Sequence, residues 1–149
     1  ALFKETRPLN IHSIIANHPE LMLAYWPLRQ HIVHNNSLPP QIHELLILRI
    51  AHLCQSNYEW EHHVIRGQKV GLSLAQIDGV RFGKTDWEPA EQLILTVADE
   101  MRANHQLTKE TAAEMLATFE KSGTLDAIMT ATVYLGLAAL LNTFDVPID

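Results

Sequence analysis

The sequence predicts an all-α protein, a single-domain bundle of about six to eight helices. Apolar residues recur at helical spacing along almost the whole chain of 149 residues. No segment alternates apolar and polar residues as a half-buried β-strand does. Proline, serine and glycine signals divide the chain into helix-sized segments, without a linker or an internal repeat. We therefore expect one helical domain over residues 1–149.

Local signals delimit each predicted helix. Pro19 and Pro40 suit first turns, and a kink or break is expected at Pro27. Two serines precede a Glu or Gln by three positions, which is the spacing of a capping box; the pairs are Ser56 with Glu59 and Ser73 with Gln76. The predicted helices span 19–34, 40–54, 56–70, 73–82, 88–104, 108–121 and 125–142, and a loop is expected over 83–86.

Composition and charge exclude several classes of protein. A hydrophobic fraction of 47% is too high for a disordered chain. The single cysteine, Cys54, excludes a disulfide framework, a Cys-x-x-Cys redox pair and a zinc site built from several thiolates. Eleven basic against seventeen acidic residues argue against a nucleic-acid partner or an acidic membrane surface. The longest apolar stretch, 128–141, is shorter than the ~20 residues of a spanning helix, so we expect a cytoplasmic protein.

The helix predicted over 40–54 carries one acidic side chain among apolar neighbours. Glu44 shares a stripe with Leu48 and Ala51 at helical spacing. A buried carboxylate is costly unless it is paired, and desolvation should raise its pKa. The alternative is an exposed first-turn glutamate that the helix dipole favours.

The helix predicted over 56–70 places a histidine beside a glutamate. His63 belongs to a mostly apolar stripe, and Gly67 beyond it leaves room for another helix or a ligand. Glu59 lies one turn before His63, and a Glu–His pair can transfer protons near neutral pH. The alternatives are a hydrogen-bonded core histidine and a glutamate that only caps the helix with Ser56. A second, charged stripe holds Glu59, His62, Arg66 and Lys69.

Metal and nucleophile motifs are not expected in this chain. Glu59-x-x-His62 has the spacing of a di-iron bundle, but such a site needs a second pair, and none is present in the sequence. The sequence also lacks His-Glu-x-x-His, Gly-x-Ser-x-Gly and a phosphate-binding glycine loop. We therefore predict no metal site and no cofactor.

Several segments, in order, carry a resemblance to a known family. They are Glu44-Leu45-Leu46-Ile47-Leu48-Arg49-Ile50-Ala51, Asn57-Tyr58-Glu59-Trp60-Glu61-His62-His63, Gly71-Leu72-Ser73, Ala98-Asp99-Glu100, Tyr134 and Leu141-Asn142. The set resembles the carboxymuconolactone decarboxylase family, which also contains alkylhydroperoxidase D, from about Leu9 onward. The resemblance implies an alkylhydroperoxidase D-like helical fold, trimers or hexamers, and sites near subunit contacts.

The chain departs from the peroxidase branch of that family. Counted from Glu44, the two cysteines of that branch fall on Ser56 and Glu59, and its histidine falls on His63. Both thiols are missing, and Cys54 has no resolving partner. The sequence therefore resembles a cysteine-free branch with Tyr58-Glu59-Trp60 in place of the thiols.

The resemblance implies a lyase that needs no cofactor. The decarboxylase of the family removes CO₂ from a lactone acid, whose carbonyl can hold the developing carbanion as a dienolate. Such a protein must bind the acid, desolvate the carboxylate and deliver a proton. The candidates for proton transfer and oxyanion binding are Glu44, Glu59, His63 and Tyr58. The candidates for substrate binding are Ser56, Arg49, Arg66 and Tyr134, and a surface ion pair is the alternative for either arginine.

Three interpretations of function remain open. The first is the lyase or proton-transfer enzyme on a small organic acid, lactone or enol. The second is a non-catalytic oligomeric helical protein, and the third is a residual redox protein that uses Cys54. The last helix predicts a homo-oligomer, because its apolar residues exceed what one face of a small bundle requires; they are Leu125, Ile128, Met129, Val133, Leu137, Ala138 and Leu141.

Overall fold

The computed structural model describes residues 8–83 and 86–149, and the regular structure of these residues is entirely helical. The helices are α1 (Asn10–Ile15), α2 (Pro19–His34), α3 (Pro40–Leu53), α4 (Asn57–Lys69), α5 (Leu74–Phe82), α6 (Pro89–Asn104) and α7 (Lys109–Thr143). The predicted all-α class is confirmed. Of the loop predicted over 83–86, positions 84 and 85 lie outside the described residues.

Two helix predictions near the start of the chain need correction. The sequence did not indicate α1, because six residues are too few to establish a helical period. α2 runs as one element through Pro27, so the break allowed for there does not occur. Pro27 is exposed, and a proline on the outer face of a helix forfeits one backbone hydrogen bond without disturbing the core.

The two capping boxes have opposite outcomes. At α5 the box is present, because Gln76 N donates to the Ser73 hydroxyl at 3.2 Å and Ser73 N donates to Gln76 Oε1 at 3.0 Å. At α4 the predicted capping box does not form. Ser56 occupies the N-cap position, but its side chain accepts no capping hydrogen bond. Ser56 and Glu59 are both buried, so Glu59 is turned into the protein and not back along its own helix.

α3 is the central helix, as its apolar circumference predicted. Its residues 45–48 are fully buried, and it packs against α4, α5, α6 and α7. Gly67 allows α4 to approach closely, since a Cβ there would lie 3.1 Å from Leu72 and 3.5 Å from Leu48. This close approach fixes α4 against α3, and those two helices carry Glu44, Glu59 and His63.

α7 is two helical arms joined at a sharp backbone break. Glu120 has φ 57° and ψ −174°, which is not helical. The sequence predicted separate helices over 108–121 and 125–142, so the interruption is confirmed within a few residues. The chain is crowded at the break, since a Cβ on Gly123 would lie 2.7 Å from the Phe119 Cβ. By length and composition alone α7 is able to cross a membrane, but a core helix meets the same criterion, and α7 packs against α2, α3 and α6.

A second, smaller hydrophobic cluster lies apart from the main core. It joins α1 to the start of α2, the start of α4, the end of α7 and the segment after it. Its buried members are Ile11, Ile15, Met22, Tyr58, Leu141 and Val146. We call this set the satellite cluster. The cavity described next lies between the satellite cluster and the main core, with lining residues from both.

Candidate active site

Glu44 and His63 form a buried pair between α3 and α4. The His63 Nδ1 atom lies 2.6 Å from Glu44 Oε2, and the two residues are 4% and 7% exposed. Burial lowers the pKa of His63 despite the neighbouring carboxylate, so the imidazole is neutral. A carboxylate only accepts hydrogen bonds, so Nδ1 carries the proton and Nε2 keeps a lone pair. Because Glu44 is buried, the alternative of an exposed first-turn glutamate is wrong.

The charge of Glu44 is set by two imidazoles. Burial alone would raise the pKa of Glu44, but contacts from His43 and His63 outweigh burial and lower the pKa to about 2. The His43 Nδ1 atom lies 3.8 Å from the second Glu44 oxygen. The rise in pKa expected for a desolvated Glu44 is therefore wrong, because the carboxylate is paired.

Glu59 is buried without such partners. It is 3% exposed, and neither carboxyl oxygen has a hydrogen-bond partner of good geometry among residues 8–83 and 86–149. Burial raises the pKa of Glu59 to about 8, and the nearby Ser56 hydroxyl opposes this rise. Glu59 is therefore an uncharged carboxylic acid at neutral pH, able to donate a proton.

These groups meet at a partly open cavity of about 50 Å³. Side chains from α1, α2, α4 and α7 line it together with Leu9. Five residues predicted for the site are among them: Tyr58, Glu59, His63, Arg66 and Tyr134. Glu44 stands behind His63 in the pair described above. Four polar residues at the cavity were not predicted: His12, Tyr25, Arg29 and His62.

Two arginines give the cavity a positive field. No carboxylate among the described residues lies within 4.0 Å of the guanidinium of Arg29 or Arg66, as an ion pair requires. Burial lowers the pKa of Arg29, and Arg66 lowers it further. Burial also lowers the pKa of His12 to about 4, with added repulsion from both arginines. The electrostatics favour an anion in this cavity.

Two residues predicted to bind substrate lie elsewhere. The Arg49 guanidinium bonds the Asp99 carboxylate at 2.7 and 3.2 Å and the Val80 carbonyl at 2.7 Å. This half-buried ion pair joins α3 to α6, so the ion-pair alternative holds for Arg49. Ser56 lines a separate groove together with Trp60. Neither Arg49 nor Ser56 lines the cavity.

The two tyrosines of the prediction differ in what their hydroxyl groups do. The Tyr58 hydroxyl donates to Asp149 Oδ2 at 2.5 Å and accepts from Ile11 N at 3.3 Å, so it is not free to bind an oxyanion. The Tyr134 ring meets His63 edge-on, with centroids 5.1 Å apart. Burial raises the pKa of Tyr134, and no hydrogen bond to its hydroxyl is among the causes that shift this pKa. Tyr134 therefore replaces Tyr58 as the candidate to donate a hydrogen bond to an oxyanion.

Cys54 stands apart from the acid–base groups. It lines a different groove with Met101 and Arg102. Burial raises the pKa of the Cys54 thiol, which disfavours the reactive thiolate. Within residues 8–83 and 86–149, no group of three or more His, Cys, Asp or Glu side chains is arranged to hold a metal ion.

Fold and cavity together define an all-helical protein whose acid–base side chains come from two consecutive helices. The sequence model of the carboxymuconolactone decarboxylase family matches residues 19–100, which is more than half of the chain and includes Glu44, Glu59 and His63. The chain belongs to that family. No curated protein matches it. Tyr134 and His12, both at the cavity, lie outside the matched range.

Proposed function

We propose that the protein is a cofactor-independent lyase of the decarboxylase type that acts on a small organic acid, lactone or enol. The observation that carries the proposal is an uncharged carboxyl group, Glu59, at a cavity that also holds a neutral imidazole and two guanidinium groups without a carboxylate partner. Membership of the carboxymuconolactone decarboxylase family supports this class of activity.

The arginines are the proposed carboxylate-binding groups. Arg29 and Arg66 present two planar cations to the same small space, and a guanidinium matches a carboxylate with two parallel hydrogen bonds. A carboxylate bound between these side chains loses part of its hydration. Loss of hydration favours the change from a charged carboxylate to neutral CO₂.

The chemical step moves one electron pair and one proton. The C–C bond to the carboxylate breaks, CO₂ leaves, and the bonding electrons pass into the conjugated system to form an enolate on the carbonyl of the substrate. The Tyr134 hydroxyl donates a hydrogen bond to the enolate oxygen. Glu59 then transfers its proton to carbon and recovers a proton from water. For an enol substrate, the lone pair on His63 Nε2 accepts the hydroxyl proton, and Glu44 holds the ring in place.

The first test is turnover of a panel of lactone acids and enol acids by four proteins. Wild type is compared with Glu59→Gln, with Cys54→Ser and with the matched control Glu61→Gln, an exposed glutamate on the same helix. Loss of the proton donor should lower kcat by about 10²- to 10⁴-fold. Glu61→Gln and Cys54→Ser should keep wild-type kcat.

Three results would contradict the proposal. Full activity of Glu59→Gln would remove Glu59 as the proton donor. Peroxide consumption with a dithiol reductant that Cys54→Ser abolishes would support the redox interpretation instead. No turnover of any panel member by wild type would favour the non-catalytic oligomeric interpretation.

We further propose that the protein forms a homo-oligomer. Of the apolar residues counted on the last helix, Leu125 and Met129 remain 55% and 42% exposed. Exposed apolar side chains on one helix favour association. Mass measurement in solution at micromolar concentration should give a multiple of 16.9 kDa, and a monomeric mass would contradict the proposal.

A further inference from the structure

The cavity as it stands is too small for the proposed substrate. Its volume is about 50 Å³. Sites for small organic ligands usually enclose roughly 300–1,000 Å³. If the protein acts on a lactone acid, part of the wall must therefore move to admit it. We propose that α1 forms a lid over the cavity, held shut by a latch of Asn10, Tyr58, His62 and Asp149 that ties α1 to residues 145–149 and to α4.

The walls of the cavity differ in how firmly they are held. His63 and Tyr134 project from α4 and α7, two helices whose side chains pack into the main core around α3. Ile11 and His12 project from α1, which has six residues and packs mainly against α2. The apolar contacts of α1 belong to the satellite cluster. Small clusters with few buried contacts open at lower free energy than the core, so α1 is the wall that moves.

The latch consists of polar contacts that centre on one carboxylate. Asp149 Oδ1 accepts from Asn10 N at 2.8 Å, and Asp149 Oδ2 accepts from the Tyr58 hydroxyl at 2.5 Å. His62 Nε2 lies 3.2 Å from the same Oδ2 atom. Asn10 Nδ2 also donates to the Pro147 carbonyl at 3.0 Å. These contacts tie α1 and residues 145–149 to each other and to α4.

The Tyr58 hydroxyl is the point at which lid and site meet. It accepts from Ile11 N of α1 and donates to Asp149, while its ring lines the cavity. His62 stacks on the Tyr58 ring, with centroids 4.3 Å apart. Opening would exchange each of these hydrogen bonds for one to water, which costs little, and would expose Arg29 and Arg66 to an incoming anion. Tyr58 and His62 are thus assigned to access, not to proton transfer.

The experiment measures how fast a cavity residue becomes accessible. Leu141→Cys places a thiol at a cavity position that is 3% exposed, in a Cys54→Ser background. The probe is a negatively charged methanethiosulfonate reagent, whose reaction rate reports opening. Asp149→Ala and Tyr58→Phe should raise the labelling rate about tenfold or more, whereas the control Glu61→Ala, an exposed carboxylate of α4 outside the latch, should not change it.

Amide hydrogen exchange provides the second measurement. In Asp149→Ala the amides of α1 should exchange about tenfold faster than in the parent protein, while those of α3 keep their rate. Equal labelling rates in the latch variants and in Glu61→Ala would overturn the lid. Equal acceleration in α1 and α3 would also overturn it, because the whole fold would then have loosened. Neither measurement needs a substrate, so the lid and the lyase proposal can fail independently.

Discussion

The start of α3 and the start of α4 each bury one glutamate, and the two glutamates are in opposite charge states. Glu44 and Glu59 are 7% and 3% exposed, so burial penalises both carboxylates. The pKa of Glu44 is lowered to about 2 and that of Glu59 is raised to about 8. The difference lies in the partners, since imidazoles face Glu44 and the oxygens of Glu59 find no hydrogen-bond partner among the described residues.

Neighbouring partners thus keep one buried carboxyl group ionised and leave the other protonated. Pairing keeps Glu44 ionised, and the ionised carboxylate fixes the proton of His63 on Nδ1. The absence of pairing keeps Glu59 protonated. Two carboxyl groups whose environments push their pKa values apart are a recurrent arrangement for acid–base catalysis.

The largest expected effect is on the pH dependence of stability. The pKa of Glu59 is about 8 in the folded protein and is near 4.5 when unfolded, so the folded state holds the proton more tightly. Its contribution to stability is full below pH 4.5 and is lost as the pH rises to about 8. The slope is about 1.4 kcal/mol per pH unit.

The measurement for Glu59 is chemical denaturation of wild type and Glu59→Gln at several pH values. The glutamine side chain of the variant cannot ionise, so the variant should match wild type near pH 4 and exceed its stability increasingly toward pH 8. The difference between the proteins isolates Glu59, because every other ionisable group is the same in both. Parallel pH profiles would show that Glu59 is already ionised at neutral pH.

The second expected effect is loss of stability when Glu44 is removed. Glu44→Ala leaves the buried Nδ1–H of His63 without an acceptor, and breaking a buried pair costs about 3 kcal/mol. Glu44→Gln keeps an acceptor oxygen and should cost less. Urea unfolding at pH 7 of both variants tests this order. Equal stability of Glu44→Ala and wild type would show that the pair does not stabilise the fold.

The smallest expected effect concerns Ser56. Its hydroxyl is the neighbour that lowers the pKa of Glu59 against the effect of burial. Ser56→Ala should therefore raise the pKa of Glu59 further, so the loss of stability should still begin near pH 4.5 but should continue to a higher pH than in wild type. Asn57→Ala, an exposed neighbour on the same turn, is the control and should leave the profile unchanged. An unshifted profile in Ser56→Ala would show that the hydroxyl does not reach Glu59.

Much of the fold followed from local signals. Proline at the first turn, the Ser73–Gln76 capping box and the helical spacing of α3 and α4 act within a few residues, and each predicted its element. α1 was not predicted, because its six residues are too few to show a helical period. The capping box at Ser56 failed because tertiary packing buries Glu59, and burial outweighs a capping hydrogen bond.

The candidate site was only partly predictable for the same reason. Glu59 and His63 share one helix, and Glu44 lies on the helix before it, so spacing and motif order indicated them together. Arg29 reaches the cavity from α2 and His12 from α1, across gaps that no periodicity describes. Arg49 belonged to the resembling segment but is held by Asp99, fifty positions away along the chain.

Local signals were enough to predict the helical class, most of the helices, the family and the residue types available for acid–base chemistry, because such signals act over a few positions of the chain. Packing of the helices was needed to decide which glutamate is ionised, which arginine faces the cavity and which tyrosine hydroxyl a carboxylate holds. Charge state and hydrogen bonding depend on burial and on partners brought from distant positions, and both arise only when the helices pack together.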